Sequence, residues 1–110
     1  IAILDTAINH LPEIFEYQYR PVVMQATEAG VYEYRLAGSS CLSGDLLGDY
    51  RFDTKLVVWS RIIIENIGAY MLVKANMFNG INLPSVYLLD RGRKLRLLKQ
   101  FDYSHYRDRL

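Results

Sequence analysis

A single thiol stands out among the groups that could do chemistry: Cys41, in the run Ala37-Gly38-Ser39-Ser40-Cys41-Leu42-Ser43-Gly44-Asp45. A cysteine in such a small-residue loop could act as a nucleophile or a proton donor, but it needs a nearby base or cation to form thiolate. Nothing in the local sequence supplies one, so the pattern alone favours a plain loop cysteine. Tyr70, in Gly68-Ala69-Tyr70, could donate its hydroxyl to a phosphate, although packing is the commoner role for one of nine tyrosines. Lys74 interrupts an apolar stretch and reads equally as an edge residue snorkelling to water or as a paired site residue. His10 could be a base or a ring hydrogen-bonded in a bend. Two distant histidines and one cysteine have no ligand spacing, so no metal site is expected. The carboxylates form no evident acid/base pair.

The elements that must position these groups belong to a chain of 110 residues, suited to one domain. Its 13 basic and 12 acidic residues leave a net charge of +1, which gives no electrostatic reason to expect nucleic acid or an anionic membrane as partner. The basic run over residues 91–99 reads as a solvated strand face. One cysteine excludes an internal disulfide, and no segment has the length of a membrane span or the layout of a signal peptide. The expectation is a cytoplasmic protein. The chain opens at Ile1, directly in an apolar run, which reads as a strand within a longer protein.

Residues 1–5 read as a short buried strand, followed by a polar bend through Thr6, Asn9 and His10. Pro12 can open a helical turn over residues 13–17, where its missing donor costs nothing, and the segment reads equally as irregular chain. Residues 22–24 resume a strand that turns at Glu28-Ala29-Gly30. Alternation over residues 31–36 places Tyr32, Tyr34 and Leu36 on one face of a half-buried antiparallel strand. Residues 49–54 read as a polar and aromatic connection, and residues 55–59 and 61–65 as strands. Beyond Gly68 the chain is either extended or helical, and Asn79-Gly80 is a strong turn signal. Residues 85–89 form a strand, residues 90–93 a tight turn, residues 94–100 a strand or short helix, and the charged tail a final helix. Short strands with close turns, and no βαβ rhythm, predict an all-β barrel or sandwich with minor helix and no dividing linker.

The Cys41 loop, Gly68-Ala69-Tyr70 and Phe78-Asn79-Gly80 together resemble the C-terminal β-domain of the fold-type III pyridoxal-phosphate-dependent decarboxylases. That group includes the ornithine, arginine and diaminopimelate enzymes. Within it, Leu4-Asp5, Asn9-His10-Leu11-Pro12, Tyr19-Arg20-Pro21, Gly48-Asp49-Tyr50, Tyr70-Met71-Leu72-Val73-Lys74 and Phe78 to Pro84 most resemble the carboxynorspermidine/carboxyspermidine decarboxylases. The motifs span almost the whole chain in order.

The resemblance implies that residues 1–110 are the C-terminal β-barrel domain of a two-domain, dimeric enzyme of polyamine biosynthesis, with active sites shared between subunits. The Schiff-base lysine and the glycine-rich phosphate loop would lie in an N-terminal barrel outside this chain. It assigns Tyr70 to the cofactor phosphate, and Cys41 to the partner subunit's site as the group that protonates the carbon losing CO2. Ornithine and diaminopimelate decarboxylases carry an acidic residue directly after this cysteine, where this chain has Leu42. Asp45 therefore becomes the candidate contact for an amine of a longer substrate, with Phe78 and Asn79 at the substrate end. Trp59-Ser60-Arg61 also departs from the family, which usually has a Gly-Asp turn there. Another decarboxylase of the same fold type, or a non-catalytic binding module, are the alternatives. The chain alone is expected to be inactive.

Overall fold

The computed structural model describes residues 1–110, which divide into two compact units, Ile1–Ala75 and Asn76–Leu110. In the first unit the central element is the ladder between β2 (Tyr32–Ala37) and β3 (Leu46–Phe52), which pair antiparallel. Its register opposes Tyr32 to Phe52 and Tyr34 to Tyr50 on one face, and Glu33 to Arg51 and Arg35 to Asp49 on the other. The predicted alternation of β2 holds. The first face packs into the core, where Leu36, Tyr50 and Phe52 join Ile8, Leu11, Ile14, Val23, Leu47 and Met71. The second carries charge pairs in solvent. Leu36, Phe52 and Met71 are the largest fully buried side chains, and truncating a residue of that kind costs about 2–5 kcal/mol.

Residues 49–54, expected to be a connection, are largely strand. The reason is a bulge. The register steps from Leu36↔Gly48 to Ala37↔Leu46, so Leu47 is the extra residue on β3 and the inward alternation shifts there. Gly48 takes φ +140, and a Cβ on it would stand 3.3 Å from the Tyr50 ring. A break in the period of two at that point hides the strand from pattern reading.

β1 (Ala2–Ile3) is shorter and more exposed than expected: it pairs parallel with β2 at the sheet edge, with Ile1 and Ile3 largely in solvent. The expected strands at 22–24 and 61–65 meet only in the bridge Val23↔Ile64. The Gln25 amide extends that pairing, donating to the Arg61 carbonyl at 2.9 Å and accepting from the Ile63 amide at 3.0 Å. Residues 55–59 are not a strand. They lead into a turn closed by the Ser60 amide on the Val57 carbonyl at 2.9 Å, with Trp59 at φ 74. A bulky residue thus adopts a backbone that glycine takes without strain, at the turn where the resemblance leads to an expected Gly-Asp.

Helix α1 (Pro12–Tyr17) begins at its proline and realises the helical alternative there, as α2 (Ala69–Lys74) does after Gly68. Met71 and Ala75 are buried one turn apart. In the second unit, β4 (Val86–Leu89) and β5 (Leu95–Lys99) form an antiparallel pair, joined by a turn in which Asp90 accepts from the amides of Arg93 and Lys94. The chain is therefore β-rich with short helices, in a three-stranded and a two-stranded sheet, and neither sheet closes on itself. No helix is long and apolar enough to cross a membrane.

Helix α3 (Tyr103–Arg107) starts from a reciprocal cap. Asp102 accepts from the Ser104 amide at 2.9 Å and the Ser104 hydroxyl at 2.5 Å, with the His105 ring at 2.9 Å. The Ser104 hydroxyl first, then His105 and the Ser104 amide, lower the Asp102 carboxyl from 3.8 to about 2. A carboxylate held lower in the folded state stabilises the cap above its unfolded value, and that contribution is lost as pH falls through its folded value. The Ser104 amide resonance is therefore expected to move with a midpoint at about pH 2 rather than 3.8. An Asp102→Ala variant is expected to show no such transition.

Candidate functional site

Three groups of sequence-marked residues can now be placed. The first is the loop joining β2 to β3, which carries Cys41 and Asp45. Cys41 is exposed, whereas Asp45 is 6% exposed. Asp45 does not face outward as a substrate contact should. One carboxylate oxygen accepts from the Ile8 amide at 2.7 Å, and the other from the Ser40 amide at 2.9 Å and the Ser40 hydroxyl at 2.5 Å. A buried carboxylate requires such compensation, because leaving it without donors would cost its full desolvation. Gly38 permits the arrangement: a Cβ there would fall 2.1 Å from an Asp45 carboxylate oxygen. Leu42 packs against the core. Leu42 therefore helps to anchor the loop.

This loop is also tied to the chain before it. The Ser39 amide and hydroxyl both donate to the Thr6 carbonyl, at 2.8 and 3.0 Å. The bend expected at residues 6–10 is a buried 3-10 turn, Ile8–His10, with the Thr6 hydroxyl 3.2 Å from His10 Nδ1. His10 is thus a hydrogen-bonded interior residue.

The second group is on α2. Tyr70 is 75% exposed on the first turn, leaving its ring available to a ligand or another part of a larger protein. Lys74 resolves in favour of the paired reading: its Nζ lies 2.5 Å from Glu16 and 3.7 Å from Glu13, and 5.3 Å from the Tyr17 ring. These contacts tie α2 to α1. The Glu16 hydrogen bond, ahead of the charges of Glu16, Tyr17 and Glu13, raises the Lys74 pKa above 10.5. Such a lysine is held as a cation and is the opposite of an activated amine nucleophile.

The third group, Phe78 and Asn79, shares the 3-10 turn Phe78–Gly80 of the second unit. Both are exposed, Asn79 has φ 61 and Gly80 φ 71, and the Phe78 amide donates to the Asn76 side chain at 3.0 Å. The predicted turn is present.

A further cluster was not anticipated. Arg20 lies 4.2 Å over the Tyr50 ring and donates to the Asp49 carbonyl at 2.5 Å, while the Tyr50 hydroxyl donates to the Pro21 carbonyl at 2.6 Å. Arg35 holds the Asp49 carboxylate through two bonds at 2.8 and 3.0 Å, lowering its pKa. Arg20, Pro21, Asp49 and Tyr50 line a groove of about 480 Å³. Tyr19-Arg20-Pro21 and Gly48-Asp49-Tyr50 had been marked as motifs, but their meeting depends on tertiary structure. Arg20 and Asp49 are both paired within the fold, so the two motifs brace each other.

No protein-family model matches the chain. Among curated proteins, carboxyaminopropylagmatine decarboxylase of Synechocystis is 44% identical over 112 residues, covering 99% of this chain and 29% of that protein. The carboxynorspermidine/carboxyspermidine decarboxylase of Campylobacter jejuni is 34% identical over 96% of the chain, and that of Herminiimonas arsenicoxydans 29% identical over 96%. The chain spans 31% and 29% of those two proteins. The crystal structure of the Campylobacter jejuni carboxynorspermidine decarboxylase complexed with norspermidine aligns with a TM-score of 0.91 at 34% identity, covering 99% of this chain and 34% of that one.

The α1–α2 tie makes a prediction. Lys74 has its pKa raised on folding, so its contribution to stability is complete below 10.5 and is lost as pH rises through the higher folded value. A Lys74→Gln variant is expected to unfold at a lower urea midpoint than the parent at pH 8, and the gap is expected to close only above pH 10.5.

Over nearly its whole length, then, the chain is homologous to about three tenths of proteins named as carboxynorspermidine/carboxyspermidine and carboxyaminopropylagmatine decarboxylases.

Proposed function

We propose that this chain is the C-terminal part of a pyridoxal-phosphate-dependent decarboxylase that removes CO2 from a carboxylated triamine in polyamine biosynthesis. The observation that carries the reading is the 44% identity to a decarboxylase of this kind over 99% of the chain. The fold match to the norspermidine-bound relative supports it. In this reading the two sheets are parts of a β-barrel domain completed elsewhere in the protein, the enzyme is a cytoplasmic homodimer, and an N-terminal barrel holds the cofactor lysine.

The residues present fit part of a cofactor site. Tyr70 is exposed, so its phenol can donate to a phosphate oxygen. Lys74 is held as a cation by Glu16 and Glu13, which agrees with the covalent lysine lying outside this chain. Bound pyridoxal phosphate supplies a sink for the electron pair left by departing CO2. Cys41, on its exposed loop, holds a proton at Sγ and delivers it to the carbon that has lost CO2, in the site of the partner subunit. Leu42 packs inward, so recognition of the far end of the substrate falls to other groups. Phe78 offers a ring to the methylene chain and Asn79 an amide to a substrate nitrogen.

The test is a substrate panel on the full-length protein. Carboxynorspermidine, carboxyspermidine or carboxyaminopropylagmatine is expected to have a kcat/KM at least about 100-fold above ornithine, arginine and diaminopimelate. A preference for any of the last three contradicts the reading. Replacing Cys41 with Ala is expected to lower kcat by about 100-fold or more, and an undiminished rate removes the proton-donor role.

A further inference from the structure

The peptide units on both sides of Cys41 are held by one relay of hydrogen bonds. The Leu42 amide, directly after the cysteine, donates to the Ser40 hydroxyl at 3.2 Å. That hydroxyl, directly before the cysteine, donates to the Asp45 carboxylate at 2.5 Å, joined there by the Ser40 amide at 2.9 Å. The other Asp45 oxygen takes the Ile8 amide at 2.7 Å, 37 residues away in sequence. The Asp45 amide closes the ring on the Leu42 carbonyl at 3.0 Å. A backbone fixed immediately before and after Cys41 leaves its side chain rotation as the main freedom of the thiol.

We infer that Asp45 is a positioning residue: its buried carboxylate sets the place of the Cys41 thiol by locking the loop to the 3-10 turn Ile8–His10. The inference rests on the proton-delivery role proposed for Cys41. It replaces the expectation that Asp45 binds a substrate amine, since that carboxylate is 6% exposed and both its oxygens are occupied. Proton delivery is sensitive to donor placement: an error of about 1 Å can cost roughly 100-fold. Asp→Asn preserves shape at this site but turns an amide NH2 toward Ile8 or Ser40, where donor would meet donor.

The experiment uses the full-length protein with Asp45→Asn, Cys41→Ala and the double variant. Asp45→Asn is expected to lower kcat by about 10- to 100-fold, with KM for the carboxylated triamine changed by less than about threefold and cofactor titration unaltered. In the Cys41→Ala background it is expected to add no further loss, because the two act as one unit. Amide hydrogen exchange at Ile8 and Leu42 is expected to quicken while Leu36 is unchanged. Ser40→Ala removes only the hydroxyl link, so it should lower kcat in the same direction by a smaller factor, and it serves if Asp45→Asn does not fold. A rise in KM at constant kcat would restore Asp45 as a substrate contact and overturn the inference. Losses that simply multiply in the double variant overturn it too. A silent Cys41→Ala defeats the proton-donor reading and the inference with it, whereas unchanged exchange at Ile8 and Leu42 in Asp45→Asn defeats the inference alone.

Discussion

The antiparallel ladder between β2 and β3 is the constraint on which the first unit depends. It buries Leu36, Tyr50 and Phe52 on one face and sets Glu33 against Arg51 and Arg35 against Asp49 on the other. Its register break at Leu36/Ala37 turns Leu47 inward and delivers the chain into the Cys41 loop from a defined end of the sheet. The loop does not depend on hydrophobic burial alone. Its last residue, Asp45, is buried and satisfied by donors from its own loop and from the Ile8–His10 turn. Cys41, held next to that anchor, is presented on a fixed backbone while remaining exposed.

Tyr70 is supported differently. Its helix is too short to hold itself, since an isolated segment of six residues is far below the length at which helices persist in water. Burial of Met71 and the Lys74 contacts with Glu16 and Glu13 supply the stability that propensity lacks. The Arg20–Tyr50 stack and the Tyr50 hydroxyl on Pro21 hold the chain between α1 and the Val23 bridge. Residues that read as candidate chemistry in the sequence thus sort into two kinds: exposed groups, Cys41, Tyr70, Phe78 and Asn79, and buried or paired groups, Asp45, His10 and Lys74.

Elements with an uninterrupted local signal were legible. β2 followed its alternation and β4 its apolar run before the Asp90 turn, whereas α1, α2 and β5 each realise one of two alternatives that the sequence left open. β3 was not legible, because its bulge and the positive φ of Gly48 break the period of two within the strand. Residues 55–59 misled in the other direction: β-forming letters end in a turn with Trp59 left-handed, a choice imposed by chain path. The role of Asp45 lay beyond local reading for a further reason. Its Ile8 donor is a backbone amide, which carries no residue identity, and it arrives from 37 positions away. The resemblance drew attention to this loop, but only geometry separated the exposed thiol from the buried carboxylate.

The central claim is that this chain gives Tyr70 to one active site and Cys41 to the other in a dimer. Subunit mixing tests it most directly. Full-length Tyr70→Ala and Cys41→Ala variants are each assayed alone, then dissociated, mixed in equal amounts and reassociated, at a cofactor concentration that saturates only the parent. In a mixed dimer one site is then doubly defective and the other receives both intact residues, so random pairing should restore about a quarter of parent activity. Recovery no greater than that of the separate variants would mean that both residues serve the same site, or neither, and would contradict the account.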